Sequence, residues 1–148
     1  MILPEEVGKY SREIDTALPG KHTRTLYDGL KRREASVLAQ LRTGMTRLNG
    51  YLHHIGASES DLCICGQVRE TVKHYLFRCK RWEEHRVQML AQTNTRRGNL
   101  SFYLGGKARS DSEKWAPNID AVRATIKYAM ATERLNTETE QATNTPQQ

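Results

Sequence analysis

Residues 63–79 read CICGQVRETVKHYLFRC, and this stretch decides how the rest of the chain is read. It holds all three cysteines of the protein and one of its five histidines, as Cys63, Cys65, His74 and Cys79 in the pattern C-x-C-x8-H-x4-C. Zinc takes four nitrogen or sulfur ligands in a tetrahedron, and Cys3His is a standard closed set. In an extended segment, residues two apart project to the same side, so Cys63 and Cys65 can grip one ion while Ile64 points away. Gly66 permits the turn that must follow. His74 and Cys79 lie about 140° apart around an ideal helix, so a helix joining them must begin late or be distorted.

Two plainer readings compete with zinc. Free cysteine is among the most buried residue types, so the three could be core or redox thiols. A disulfide is the third reading, disfavoured because the opening Met1-Ile2-Leu3-Pro4-Glu5-Glu6 lacks the basic flank and apolar core of a signal peptide. Confinement of every cysteine to 17 residues around a histidine favours zinc. The other histidines, His22, His53, His54 and His85, have weaker claims; His85 could replace His74 only in a different fold. Four protein ligands leave the ion no open position, so the expected zinc is structural rather than catalytic.

Outward from this motif the periodicity is helical, and the expected fold is mainly α: a small helical domain with a zinc-stapled Cys/His segment and a disordered C-terminal tail. A helix is expected from Glu5 to about Thr16, broken by Leu18-Pro19-Gly20. Leu26, Tyr27 and Leu30, then Ala35, Leu38, Leu41 and Met45, form an amphipathic pair or one helix bent at Gly29. Leu48, Tyr51, Leu52 and Ile55 continue the stripe to Gly56. A single helix is expected from about Glu70 to Ala91, with Val72, Leu76, Cys79, Trp82 and Met89 along one stripe. Leu100 to Leu104 reads as a short strand or a buried turn. A last helix is expected from Ile119 to Leu135, capped by Asn118, with Ile119, Val122, Ile126 and Met130 on its apolar face. The tail after Asn136 is polar, without an apolar anchor. The segments are thus 1–15, 16–60 (helical), 61–92 (a zinc-knuckle-like motif and basic helix), 93–135 (loop and helix) and 136–148.

The 148 residues suffice for one modest domain. Hydrophobic residues make up 37%, so the expected core is thin. No apolar run approaches the ~18 residues of a membrane span, and the expected location is intracellular, the nucleus included. The 23 Lys+Arg against 17 Asp+Glu give +6, which favours a polyanionic partner. Ten bases and four acids fall in residues 61–110, against nine and seven before and four and six after. Around the motif, Arg69, Lys73, Arg78, Lys80, Arg81 and Arg86 supply a candidate phosphate-binding face. On one helix Lys73, Lys80 and Arg81 would share a broad arc, partly neutralised by Glu83 and Glu84. Trp82 is read as packing inward rather than as a base-stacking platform, and Arg96 and Arg97 form a second basic pair.

These segments resemble a known family. LPGKHTR at 18–24, ASVLAQLRTG at 35–44, RLNGYL at 47–52 and Ile55-Gly56 are similar to the end of the second polyprotein of fungal Tad-type non-LTR retrotransposons. There they follow a reverse transcriptase and usually an RNase H domain, and run into a Cys/His motif matched here by Cys63, Cys65, His74 and Cys79. RGNLSFYLGGK at 97–107 and AVRATIK at 121–127 resemble the family's extreme C-terminus. The resemblance covers about residues 16–135 and implies zinc-stabilised binding of RNA or single-stranded DNA. It brings no polymerase, endonuclease or RNase H segment.

The residues agree with a non-catalytic role. Two-metal chemistry needs convergent carboxylates, yet none of the five aspartates adjoins another acid, and Glu5-Glu6 and Glu83-Glu84 lie near a terminus and on a charged helix face. Gly105-Gly106-Lys107 is a turn rather than a phosphate loop. No small-molecule substrate and no membrane partner are expected. Two alternatives to nucleic-acid binding stand: a co-opted protein-interaction factor, such as a fungal effector or regulator, and a relic with no function of its own.

Overall fold

A computed structural model describes residues 8–66, 68–91 and 97–136. Its elements in chain order are α1 (Lys9–Ile14), α2 (His22–Tyr27), α3 (Arg32–Thr43), α4 (Asn49–His54), α5 (Val72–Phe77), a 3-10 turn (Lys80–Trp82), α6 (Glu83–Ala91), α7 (Leu100–Tyr103) and α8 (Ile119–Thr132). The fold is mainly helical: among the described residues extended pairing is limited to one isolated antiparallel bridge, Leu62 with Arg69. None of the described helices is long and apolar enough to cross a membrane. The expected disordered tail, from residue 137 onward, lies outside the described residues, as does the proposed start of the first helix at Glu5.

The two longest helices show why their sequences fold as they do. In α3, Glu34 accepts the Lys31 backbone N–H at 2.9 Å, satisfying a donor at the helix start, and Val37, Leu38 and Leu41 face inward. Met45 falls beyond the helix and is 50% exposed, so the apolar stripe ends at Leu41. In α8, the Asn118 side chain accepts the Ala121 N–H at 3.0 Å, and Val122 and Ile126 are buried while Ile119 and Met130 pack at the margin. The helix ends at Thr132, three residues short of the expected Leu135. Helix α8 packs against α3, α6 and α7, and α1 packs against α3. One apolar cluster runs from Ile14 through Leu38, Tyr75, Leu76, Met89 and Tyr103 to Leu135.

Residues 100–103 form the short helix α7 rather than a strand, begun by the Asn99 side chain accepting the Phe102 N–H, and the buried Leu104 opens the turn that follows. Within α7, Tyr103 is buried in the core, and Leu100 and Phe102 pack against it from the margin. The following Gly106 lies so close to the α1 end that a Cβ would sit 2.2 Å from the Ile14 carbonyl.

This close approach serves a polar clasp. Asp15 is fully buried and accepts four hydrogen bonds: from Arg42 Nη2 at 2.8 Å, His22 Nε2 at 2.6 Å, and the backbone N–H groups of Ala17 and Lys107 at 3.0 Å each. Arg42 also donates to the Leu104 carbonyl. One carboxylate thereby ties α1, α2, α3 and the 104–107 turn. Burial alone would raise its pKa, but the His22 and Arg42 hydrogen bonds and the two backbone donors outweigh it and hold Asp15 below the usual carboxylate value.

Asp15→Asn leaves Arg42 buried without its counter-charge, and is expected to destabilise the chain by about 3 kcal/mol in urea unfolding at pH 7. Because the folded pKa is depressed, the contribution is complete above about pH 4 and is lost as pH falls through the folded value. The gap between wild type and Asp15→Asn therefore narrows in acid; a gap constant from pH 7 to pH 2 would contradict the clasp.

Candidate metal centre

Leu62 and Arg69 pair in an isolated antiparallel bridge, which brings the segments on either side of residue 67 together. Cys63 N–H donates to the Val68 carbonyl at 2.8 Å, Gly66 N–H returns to the Cys63 carbonyl at 2.8 Å, and Glu70 N–H reaches Asp61. Gly66 adopts φ +80°, the left-handed conformation that glycine takes without strain. Thr71 then caps helix α5, its side chain accepting the His74 N–H at 3.1 Å. This places His74 in the first turn, facing the loop.

Helix α5 ends early, and that ending brings Cys79 round to the site. The Arg78 and Cys79 N–H groups both donate to the His74 carbonyl, at 2.9 and 2.8 Å, and Cys79 turns extended (ψ 125°). The expected continuous helix from Glu70 to Ala91 is therefore interrupted: α5, a 3-10 turn and α6 replace it. This is the distortion that the His74–Cys79 spacing requires.

The four ligand atoms of Cys63, Cys65, His74 and Cys79 all lie within 4.8 Å of one another. Cys63 Sγ is 3.6 Å from Cys79 Sγ, and Cys65 Sγ is 3.5 Å from His74 Nε2. A tetrahedron with ~2.3 Å metal–sulfur bonds has edges of about 3.8 Å. The donor set and its spacing thus fit a tetrahedral dication, and the group could hold one. Burial pushes the Cys63 thiol up to about 11, with Cys79 adding to the shift against a backbone hydrogen bond at Cys65. Burial also lowers His74, with Arg86 and Arg78 assisting against Glu70. His74 is thereby favoured in the neutral form that a metal needs, while Cys63 needs a cation to ionise.

Surrounding side chains fix the ligands. Glu70, 1% exposed, sits 3.9 Å from Cys63 Sγ and accepts Arg134 Nη2 at 2.5 Å, Arg134 Nε at 3.0 Å and the Asn49 N–H at 2.7 Å. The loop is so joined to α4 and to the residue pair after α8. Neither Glu70 nor Arg134 is marked as a site residue by the sequence, since 64 positions separate them; Thr71 could have been found as an N-cap ahead of an apolar run.

The six basic residues expected around the motif divide into different roles. Lys73, Arg78 and Lys80 are exposed and make no ion pair among the described residues. Arg69 is exposed but donates to the Gly50 carbonyl and lies 3.6 Å from Asp61. Arg81 stacks its guanidinium 4.4 Å over the Trp82 ring. Trp82 itself is half-buried against the core, edge-on to Tyr75. Arg86 is withdrawn from the expected face. It is 3% exposed, and its guanidinium donates to the carbonyls of Leu76 (2.9 Å), Cys79 (2.7 Å) and Tyr75 (3.3 Å). Arg97 likewise donates twice to the Phe77 carbonyl, whereas Arg96 lies outside the described residues. Both arginines satisfy carbonyls orphaned where α5 ends, where cations are also favoured by the helix dipole.

Against known proteins, no family model and no solved structure matches this chain. A third of it is similar to two retrotransposon proteins. Over 49 residues it is 43% identical to the retrovirus-related Pol polyprotein from type-1 retrotransposable element R1 2 of Nasonia vitripennis, and 41% identical to that from element R1 of Bradysia coprophila. The matched part spans 12% and 5% of those polyproteins. The similarity supports a retrotransposon-derived sequence. It does so through R1 elements, and not through the fungal Tad type that the sequence motifs suggest.

Native mass spectrometry of the full chain is expected to show one bound Zn2+, lost in Cys65→Ser. Cys65 is the ligand to change because, unlike Cys63 and Cys79, it is not fully buried, so the substitution itself removes little core packing. Equal zinc in the variant and the wild type would contradict this ligand set.

Proposed function

We propose that the chain is a non-catalytic nucleic-acid-binding unit, stapled by a structural Zn2+ at Cys63, Cys65, His74 and Cys79, that holds RNA or single-stranded DNA. The observation that carries the reading is the placement of Lys73, Arg78 and Lys80 directly beside metal-ligand positions, exposed and without acidic partners among the described residues. Lys73 precedes His74, and Arg78 and Lys80 flank Cys79, so a metal that fixes those ligands also fixes the three cations. Phosphate contacts by such groups give affinity that is independent of sequence and falls with salt. Likeness to Pol polyproteins of R1 elements supports a nucleic-acid partner, and four protein ligands leave no open metal position for chemistry.

A second reading, docking to a protein, has one observation behind it. Leu62, Ile64 and Val68, at the tip of the metal loop, are 47%, 74% and 44% exposed. An apolar contact there would be insensitive to salt, which separates the two readings.

Fluorescence anisotropy with a labelled 20-nucleotide RNA or DNA strand is expected to show binding whose affinity falls steeply between 50 and 200 mM salt. Lys73→Glu/Lys80→Glu is expected to weaken it by about tenfold or more at low salt. No binding by the zinc-loaded wild type at 50 mM salt would overturn the reading. Unchanged affinity in the double variant would overturn the assigned face.

A further inference from the structure

A second concentration of positive charge lies away from the metal loop. The start of α3 and the outer face of α8 enclose an open cleft of about 730 Å³. Lys31, Arg32 and Arg33 line one wall, and Arg123 and Lys127 the other. The cleft has one carboxylate, Glu34, and that side chain is committed to the Lys31 backbone N–H at 2.9 Å. Its floor is apolar, made by Ile126 and Met130.

Like charges gathered at one cleft repel each other, and an anion bound between them relieves that repulsion. Lys31, Arg32, Arg123 and Lys127 are exposed, and Arg123 is steadied by a 3.3 Å hydrogen bond to the Asp28 carbonyl. Arginine presents a planar fork of donors that matches phosphate oxygens in pairs. Helix α3 adds its N-terminal dipole to the same wall, where anions are favoured. An apolar floor between two cationic walls suits a chain carrying negative charge along its edges and less polar rings between them.

We propose that the α3–α8 cleft binds the sugar-phosphate backbone of a single-stranded nucleic acid, as a second contact separate from the residues around the metal. This rests on the nucleic-acid reading above and adds where the strand is held. The two walls lie about 90 positions apart in sequence, so only the folded chain makes the cleft, and a strand reaching it reports the intact domain.

The test is anisotropy of a labelled 20-nucleotide RNA with the zinc-loaded full chain, its Arg32→Ala/Lys127→Ala variant and the Lys73→Glu/Lys80→Glu variant. Arg32 and Lys127 are exposed, so matched thermal melts are expected for the cleft variant and wild type. The proposal expects the cleft variant to bind at least about fivefold more weakly at low salt, with the slope of log affinity against log salt reduced by about 1.4, from two lost contacts at ~0.7 each. Wild-type affinity and slope in the cleft variant, while Lys73→Glu/Lys80→Glu weakens binding, would overturn the cleft and leave the metal-side face standing. Absence of RNA binding by the wild type would overturn both. Displacement of the RNA by polyglutamate of equal length and concentration would overturn the nucleic-acid assignment in favour of a general polyanion site.

Discussion

Four side chains, those of Cys63, Cys65, His74 and Cys79, meet with their ligand atoms within 4.8 Å of one another, and the local structure around each of them serves that meeting. Cys63 and Cys65 project from one tight loop, His74 from the first turn of a helix, and Cys79 from the residue after that helix stops. Each position forces a local feature: a left-handed turn at Gly66, a Thr71 cap that sets where α5 begins, and an end at Phe77 that swings Cys79 inward. An uninterrupted helix would carry Cys79 away from His74. Convergence of the ligands thus outweighs local helix propensity over residues 78–82.

That early ending has consequences at a distance. Carbonyls of Tyr75, Leu76 and Phe77 lose their helical partners, and a buried or part-buried carbonyl without a donor costs about 1–3 kcal/mol. Arg86 and Arg97 supply the donors, and the Tyr128 hydroxyl reaches the Tyr75 carbonyl from α8. Glu70 performs the matching task on the other side of the loop, linking it through Arg134 to the chain beyond α8. The candidate metal centre is therefore tied to α8 through Tyr128 and to the chain just beyond α8 through Arg134, and the Asp15 clasp independently ties the first helices to the 104–107 turn. A thin apolar core is supplemented by these two polar anchors.

How much of this was legible depends on whether the cause is local. Helix α8 is readable because its cap, Asn118, and its apolar period lie in one stretch. The four ligands are readable because their chemistry and spacing are both local. The interruption at Arg78 is not, since its cause is the meeting of residues 63 and 65 with 74 and 79. Arg86 illustrates the limit of charge counting: a tally treats it like Lys80, but one guanidinium satisfies buried carbonyls while the other cation faces water. The α3–α8 cleft shows the converse. Its cations come from stretches that are nearly neutral or acidic overall, and they concentrate only when the helices pack.

Zinc K-edge X-ray absorption of the metal-loaded chain tests the central claim most directly, because it reports which atoms surround the ion. The account predicts three sulfurs at about 2.3 Å and one nitrogen at about 2.0 Å, with no water oxygen. Two or fewer sulfurs, or a shell containing oxygen, would contradict it.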